Sequence, residues 1–149
     1  MRTFSMVKPD GVERGLVGEI VRRIENKGLK IIASKLISMK EEQAKELYRE
    51  HEGKPFYQGL VDFALSGPIF AMVIEGKEAV TVMRTLMGKT NPREAAPGTI
   101  RGDFGTGMPE NIIHGSDAEA SAEREIKIFF TEDEFLSYTR TNENRLGKE

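Results

Sequence analysis

Cysteine is absent from the 149-residue chain. That removes disulfides, thiolate metal sites and cysteine nucleophiles together, and it suits a reducing compartment. Tryptophan is also absent, and only 7% of residues are aromatic. A net charge of -2 gives no global field to attract nucleic acid or an anionic membrane. Any anionic ligand must therefore be held by a local cluster of cations. No apolar run approaches the ~20 residues of a membrane span, and Met1–Ser5 lacks the apolar core of a signal peptide. These absences lead us to expect a cytoplasmic protein that needs neither membrane nor nucleic acid. Histidine is scarce as well, with two residues in all.

Length and composition fit one compact domain spanning 1–149. Phe4–Lys8 reads as a strand, broken by the turn cluster Pro9-Asp10-Gly11. Leu16, Val17, Ile20, Val21 and Ile24 recur at helical spacing, and Gly28 ends the run. Leu29–Met39 reads as a second strand. Ser38 with Glu41 predicts a capping box that opens a helix running to about His51. A short helix is expected over Phe56–Leu65, and the continuous apolar run Ile69–Ile74 predicts a buried strand. A further helix is expected over Lys77–Met87. The stretch from Lys89 to Glu110, rich in proline and glycine, reads as a long irregular loop, and such loops are commonly functional. Ile112–His114 is the last expected strand. Ser116 with Glu119 predicts a second capping box, and Thr131 with Glu134 a small terminal helix. The segment 139–149 reads as a polar tail. The order β-α-β, α, β-α-β predicts an α+β fold of the ferredoxin-like, split βαβ kind: a four-stranded antiparallel sheet with helices packed on it.

Two motifs mislead. Gly88-Lys89-Thr90 resembles the end of a P-loop, but Met83 stands where glycine is required, and the segment follows a helix rather than a strand. The two histidines are far apart in sequence and have no cysteine partners, which argues against a transition-metal site.

The informative run is Asn111-Ile112-Ile113-His114-Gly115-Ser116-Asp117, where an imidazole stands between a short strand and a helix start. It could be a structural histidine fixing that junction, a general base, a metal ligand or a nucleophile. As a nucleophile it needs no activating base, because neutral imidazole already carries a lone pair near pH 7. It does need a partner on its other nitrogen, and Glu125 is the candidate if the following helix packs back over the strand. Lys8, Arg84 and Arg101 are candidate phosphate ligands, since arginine offers a forked grip and lysine a point charge. Each alone is as readily a solvated or ion-paired cation. Phe56, after Lys54-Pro55, could offer a ring face to a base.

Val7-Lys8-Pro9-Asp10-Gly11-Val12, Arg14-Gly15-Leu16-Val17-Gly18, Lys54-Pro55-Phe56, Ser66-Gly67-Pro68, Gly88-Lys89-Thr90-Asn91-Pro92, Pro97–Phe104 and Asn111–Asp117 together resemble the nucleoside diphosphate kinase family, from about Arg2 to Tyr138. The resemblance implies ping-pong transfer of the terminal phosphoryl group from a nucleoside triphosphate, typically ATP, to a nucleoside diphosphate. His114 would be the nucleophile through Nδ1, with Glu125 orienting its ring and Ser116 bonding nearby. It implies phosphate contacts from Lys8, Tyr48, Arg84, Thr90 and Arg101, and sugar contacts from Lys8 and Asn111. Phe56 would stack on the base, with Leu60 and Met108 lining its slot. Mg2+ would arrive on the nucleotide phosphates, near Asp117, and not in a protein cage. The expected partners are nucleoside di- and triphosphates (ATP, GTP, NDPs and dNDPs) and further copies of the chain, as a hexamer or else a tetramer.

The chain departs from the family pattern at Ala118, where serine is common, at Met108, where valine is usual, and at Phe129 and Phe130, where a tryptophan often lies. The tail after Tyr138 matches no pattern of the family. A regulatory, non-enzymatic nucleotide binder would use the same cations but would have no need of an oriented imidazole.

Overall fold

The structure, a computed structural model of the chain, describes residues 1–140. Four strands, β1 (Arg2–Val7), β2 (Lys30–Ile37), β3 (Ile69–Glu75) and β4 (Ile113–Gly115), form one sheet in the order β2-β3-β1-β4. Every pairing is antiparallel. Helices α1 (Pro9–Glu13), α2 (Val17–Asn26), α3 (Glu41–Leu47), α4 (Tyr57–Ala64), α5 (Ala79–Met87), α6 (Ile100–Phe104) and α7 (Glu119–Phe129) cover the sheet. This is the ferredoxin-like arrangement expected from the order of elements.

Alternation along the strands sends side chains to two separate cores. Phe4, Met6, Ala71 and Val73 meet Leu47, Val61, Ile126 and Phe129 on one face. Val7, Met72 and Ile74 meet Ile20, Ile24, Met83 and Met87 on the other. The central strands β1 and β3 are buried on both faces, which in β3 goes with a near-continuous apolar sequence, whereas β1 buries Thr3 and Ser5 among its apolar residues. β4 pairs His114 with Met6, so the imidazole emerges on the face covered by α3 and α7. Its neighbour Gly115 faces α5. A Cβ on Gly115 would lie 2.5 Å from the Met87 sulfur, so any side chain there would have to push the end of Met87 aside.

Several expectations are corrected. Pro9-Asp10-Gly11 opens α1 instead of making a turn, with proline in the first helical turn, where its missing N–H costs nothing. The Ser38–Glu41 box does not form. The helix starts after Lys40, whose backbone N–H donates to Gln43 Oε1 at 2.9 Å. That helix ends at Leu47, and a 3-10 turn over Arg49–His51 follows. The long loop is not irregular throughout. It contains the 3-10 turn Pro92–Glu94 and α6, which is capped by the Thr99 hydroxyl accepting from Gly102 N–H at 3.0 Å. Ser116 does not cap α7, whose N-cap residue is Ala118. Ile112 lies outside β4 with φ 73°. Thr131 and Glu134 do form their box, around a single 3-10 turn over Glu132–Glu134. The start of the tail is pinned, because Arg140 donates to the Leu29 and Glu25 carbonyls. The rest of the expected tail, 141–149, lies outside the described residues.

Candidate active site

β4 delivers His114 to the wall of a cavity of about 390 Å³. Lys8, Tyr48, Phe56, Leu60, Arg84, Thr90, Arg101, Met108, Asn111, Asp117 and Glu125 share that wall. All the residues proposed from sequence therefore converge here except Ser116, which is buried behind the wall against Glu125. They come from the end of β1, the end of α3, α4, α5, the long loop, β4 and α7, so sequence separation gives little hint of their proximity.

The His114 side chain is 20% exposed and that of Glu125 only 4%. Nε2 of His114 lies 2.7 Å from Glu125 Oε1. The same oxygen accepts from Ser116 Oγ–H at 2.8 Å. A carboxylate partner accepts and does not donate, so it fixes the ring proton on Nε2 and leaves the lone pair on Nδ1. The main chain of His114 is held by Ser5, whose hydroxyl donates to its carbonyl at 2.7 Å. Tyr48 meets the imidazole edge-on, with ring centroids 6.3 Å apart.

Three cations line the same cavity as this ring. Lys8 is buried and its Nζ donates to Asn111 Oδ1 at 2.6 Å. Burial, followed by the nearby Arg101 charge, pushes its pKa down to about 8. Arg101 is 3% exposed, and burial followed by the Arg84 charge brings it down to about 10. Its guanidinium donates to the Gly88, Asn111 and Ile113 carbonyls at 3.1, 3.3 and 2.6 Å. Arg84 donates to the Gly115 carbonyl at 3.3 Å. Each cation is thus held by neutral oxygen, which aims it without cancelling its charge. Asn111 completes the cluster by donating to the Thr90 carbonyl at 2.9 Å. Burial and then the Glu125 charge push the Tyr48 hydroxyl up, so it stays a neutral donor. Asp117 is held low, first by the hydrogen bond from Ser121.

Four lining residues were not anticipated: Leu47, Glu50, His51 and Gly115. His51 lies three residues beyond Tyr48 in a 3-10 turn, where i and i+3 side chains share a face. That spacing was the available signal. Its ring lies 5.3 Å from that of Phe56. Phe56 is 52% exposed and Met108 50%. They line an apolar extension of the cavity together with Leu60 and Pro109.

Among the described residues no group of three or more His, Cys, Asp or Glu stands ready to hold a metal ion. The wall does present the ionised Asp117 and the carboxyl of Glu50. These suit a hydrated divalent cation brought in on a polyphosphate better than a resident metal.

A family model described as nucleoside diphosphate kinase matches residues 1–135. A nucleoside diphosphate kinase of Archaeoglobus fulgidus is 55% identical over 148 residues, covering 99% of this chain and 98% of its own. Among solved structures, a halophilic nucleoside diphosphate kinase from Halobacterium salinarum in complex with CDP matches with a TM-score of 0.96 and 53% identity, covering 99% of both chains. A transition state mimic of the Borrelia burgdorferi enzyme, with bound vanadate and ADP, matches with a TM-score of 0.93 and 39% identity, covering 97% of this chain and 95% of its own.

Proposed function

This chain belongs to the nucleoside diphosphate kinase family and is a phosphotransferase; from that premise we propose that it carries the phosphoryl group on Nδ1 of His114. The lone pair of Nδ1 attacks the terminal phosphorus of a nucleoside triphosphate. A P–N bond forms, the bond to the bridging oxygen breaks, and the nucleoside diphosphate leaves with that electron pair. A second nucleoside diphosphate then attacks the phosphohistidine through a terminal oxygen and regenerates the neutral ring.

The observation that carries this reading is the 2.7 Å contact between His114 Nε2 and Glu125 in a cavity walled by Lys8, Arg84 and Arg101. Phosphoryl transfer needs positioning and charge stabilisation more than covalent help from the protein. Glu125 supports the positive charge that develops on the ring as the P–N bond forms. Lys8, Arg84, Arg101, Thr90 and the Tyr48 hydroxyl hold the phosphates, and the arginines present forked donors to the equatorial oxygens. Lys8 and Asn111 contact the sugar hydroxyls. Phe56 stacks on the base, with Leu60 and Met108 beside it, so recognition does not depend on the base edge. CDP and ADP in the related structures support nucleotides of either base class as ligands.

Mg2+ would be carried by the nucleotide phosphates with Asp117 and Glu50 nearby, supplying charge neutralisation between them. We propose further that the chain acts as one domain in a cytoplasmic homo-oligomer, a hexamer with a tetramer as the alternative. A sizing measurement in solution decides between the two.

The deciding experiment is incubation with γ-labelled ATP. The reading expects an acid-labile label on the protein that added GDP removes, and no label on His114→Ala. A wild-type chain that takes no label would leave a nucleotide binder as the better description.

A further inference from the structure

The turn that joins the long loop to β4 is unusual. Ile113 N–H donates to the Asn111 carbonyl at 2.8 Å, which closes a γ-turn around Ile112 with φ 73°. A γ-turn of this hand is rare and strained, and a β-branched residue at positive φ adds to the strain. Ile112 is fully buried, so the strain is not relieved by solvent. Something must hold it.

Two backbone amides and one guanidinium hold most of it. Lys8 N–H donates to the Ile112 carbonyl at 2.8 Å, and Asn111 N–H donates to the Pro109 carbonyl at 2.8 Å. Arg101 takes the Asn111 and Ile113 carbonyls. The Ile112 N–H remains, and it donates to Asp10 Oδ2 at 3.1 Å. Asp10 is the only side chain among the described residues that accepts a hydrogen bond from this turn. It sits two residues after Lys8, in the first turn of α1. It therefore links the end of β1, which carries Lys8, to the turn that carries Asn111.

We propose that Asp10 is a positioning residue: by clamping the Ile112 amide it holds the γ-turn that sets Asn111 against Lys8 and so determines recognition of the sugar hydroxyls. The proposal rests on the sugar contacts read above for Lys8 and Asn111. The strain gives Asp10 its role. If the clamp is lost, Ile112 relaxes toward negative φ and rotates the peptide that joins it to Asn111. The 2.6 Å Lys8–Asn111 contact depends directly on that peptide. His114 is less dependent on it, because β1 pairing and the Ser5 hydroxyl hold its main chain separately.

The test compares kcat/KM for a nucleoside diphosphate and for its 2′,3′-dideoxy counterpart in wild type, Asp10→Ala and Asp10→Asn. Asparagine keeps an oxygen that accepts from the Ile112 amide, and alanine does not. The preference for the hydroxylated nucleotide should shrink at least fivefold in Asp10→Ala and stay within about twofold of wild type in Asp10→Asn. A general loss of packing would lower both substrates together and leave the ratio unchanged. If Asp10→Ala does not fold, Asp10→Ser, whose hydroxyl is too short to reach the amide, replaces it in the same comparison. A wild-type preference that the alanine or serine variant keeps intact overturns the proposal alone. A wild-type chain indifferent to the hydroxyl removes the sugar reading and the proposal with it. Labelling of His114 is a separate measurement, and its failure would count against the nucleophile and not against Asp10.

Discussion

Glu125 holds His114 through a single carboxylate oxygen, 2.7 Å from Nε2, that also accepts from Ser116 at 2.8 Å. Its other oxygen faces the Arg124 guanidinium at 3.7 Å. The carboxylate is therefore fixed from three sides before any substrate arrives, and the ring inherits its orientation. Replacing Glu125 by glutamine tests this at nearly constant volume. An amide can donate as well as accept, so it no longer forces the ring proton onto Nε2. Part of the population then carries the proton on Nδ1, where it blocks attack. A hydrogen bond to a charged group contributes ~1.5–3 kcal/mol, which corresponds to a fall in kcat of roughly 10- to 150-fold. Nitrogen chemical shifts of the His114 ring would show the mixed tautomers. A single Nε2–H tautomer with unchanged kcat would count against the assignment.

Lys8 sets function against stability. Its pKa is lowered from 10.5 to about 8, mainly by burial. Between those values the unfolded chain binds more protons than the folded one, so the Lys8 contribution makes stability rise with pH across pH 8–10.5. Below pH 8 both states are charged and the cost of burying the ammonium is fully present, on the order of 3 kcal/mol. Activity runs the other way, because the free enzyme loses a phosphate-binding charge as pH passes 8. We expect kcat/KM to fall tenfold per pH unit above about 8.5, and a profile flat to pH 9.5 would contradict this. Lys8→Met should lose most activity yet melt at or above the wild-type temperature at pH 7. Any gain is limited by the loss of the Asn111 contact.

Arg101 and Arg84 are expected to respond differently to replacement by lysine. Arg101 spends three guanidinium nitrogens on the Gly88, Asn111 and Ile113 carbonyls, whereas Arg84 makes one such bond, to Gly115. A lysine ammonium is a point donor and cannot span three carbonyls on different segments. Arg101→Lys should therefore cost ~2–4 kcal/mol of stability, lowering the melting temperature by roughly 5–12 °C in a chain of this length, besides lowering kcat. Arg84→Lys should leave the melting temperature within a few degrees and act on kinetics alone. Equal melting temperatures for the two variants would show that the Arg101 bonds do not hold the loop.

These contrasts also mark what the sequence made legible. The sheet and the longer helices could be read because periodicity and burial act over many residues, as in β3 and α2. The pairing of His114 with Glu125 was accessible once α7 was expected to fold back over β4. What escaped was short and held by distant partners. α1 and α6 have five residues each, too few for helical periodicity, and both depend on contacts from elsewhere. Arg14 donates to the Phe104 carbonyl at 2.6 Å, and Arg23 of α2 bonds Asp103 at 2.7 Å, tying α6 to the first half of the chain. Ser116 matched a capping pattern, but its hydroxyl bonds Glu125, 9 residues on. The γ-turn at Ile112 breaks the backbone preference of its own residue. His51 reaches the cavity wall through a three-residue 3-10 turn, too short to leave a periodic signal.

Phe56 offers the cleanest separation of binding from folding. Its ring is half exposed, so it contributes little to the core, and its neighbours Lys54 and His51 lie 5.8 and 5.3 Å from its centroid. If it stacks on the base, Phe56→Ala removes ~1–3 kcal/mol of affinity, about 5- to 150-fold in Kd. The loss should be similar for ADP, GDP and CDP, because every base has a face to stack. Titration calorimetry with the three nucleotides measures this directly, and the melting temperature without ligand should move by no more than a degree or two. A loss confined to one base would mean that the ring reads a base edge or a shape particular to that nucleotide. Unchanged affinity for all three would place the base somewhere other than the slot between Phe56 and Met108.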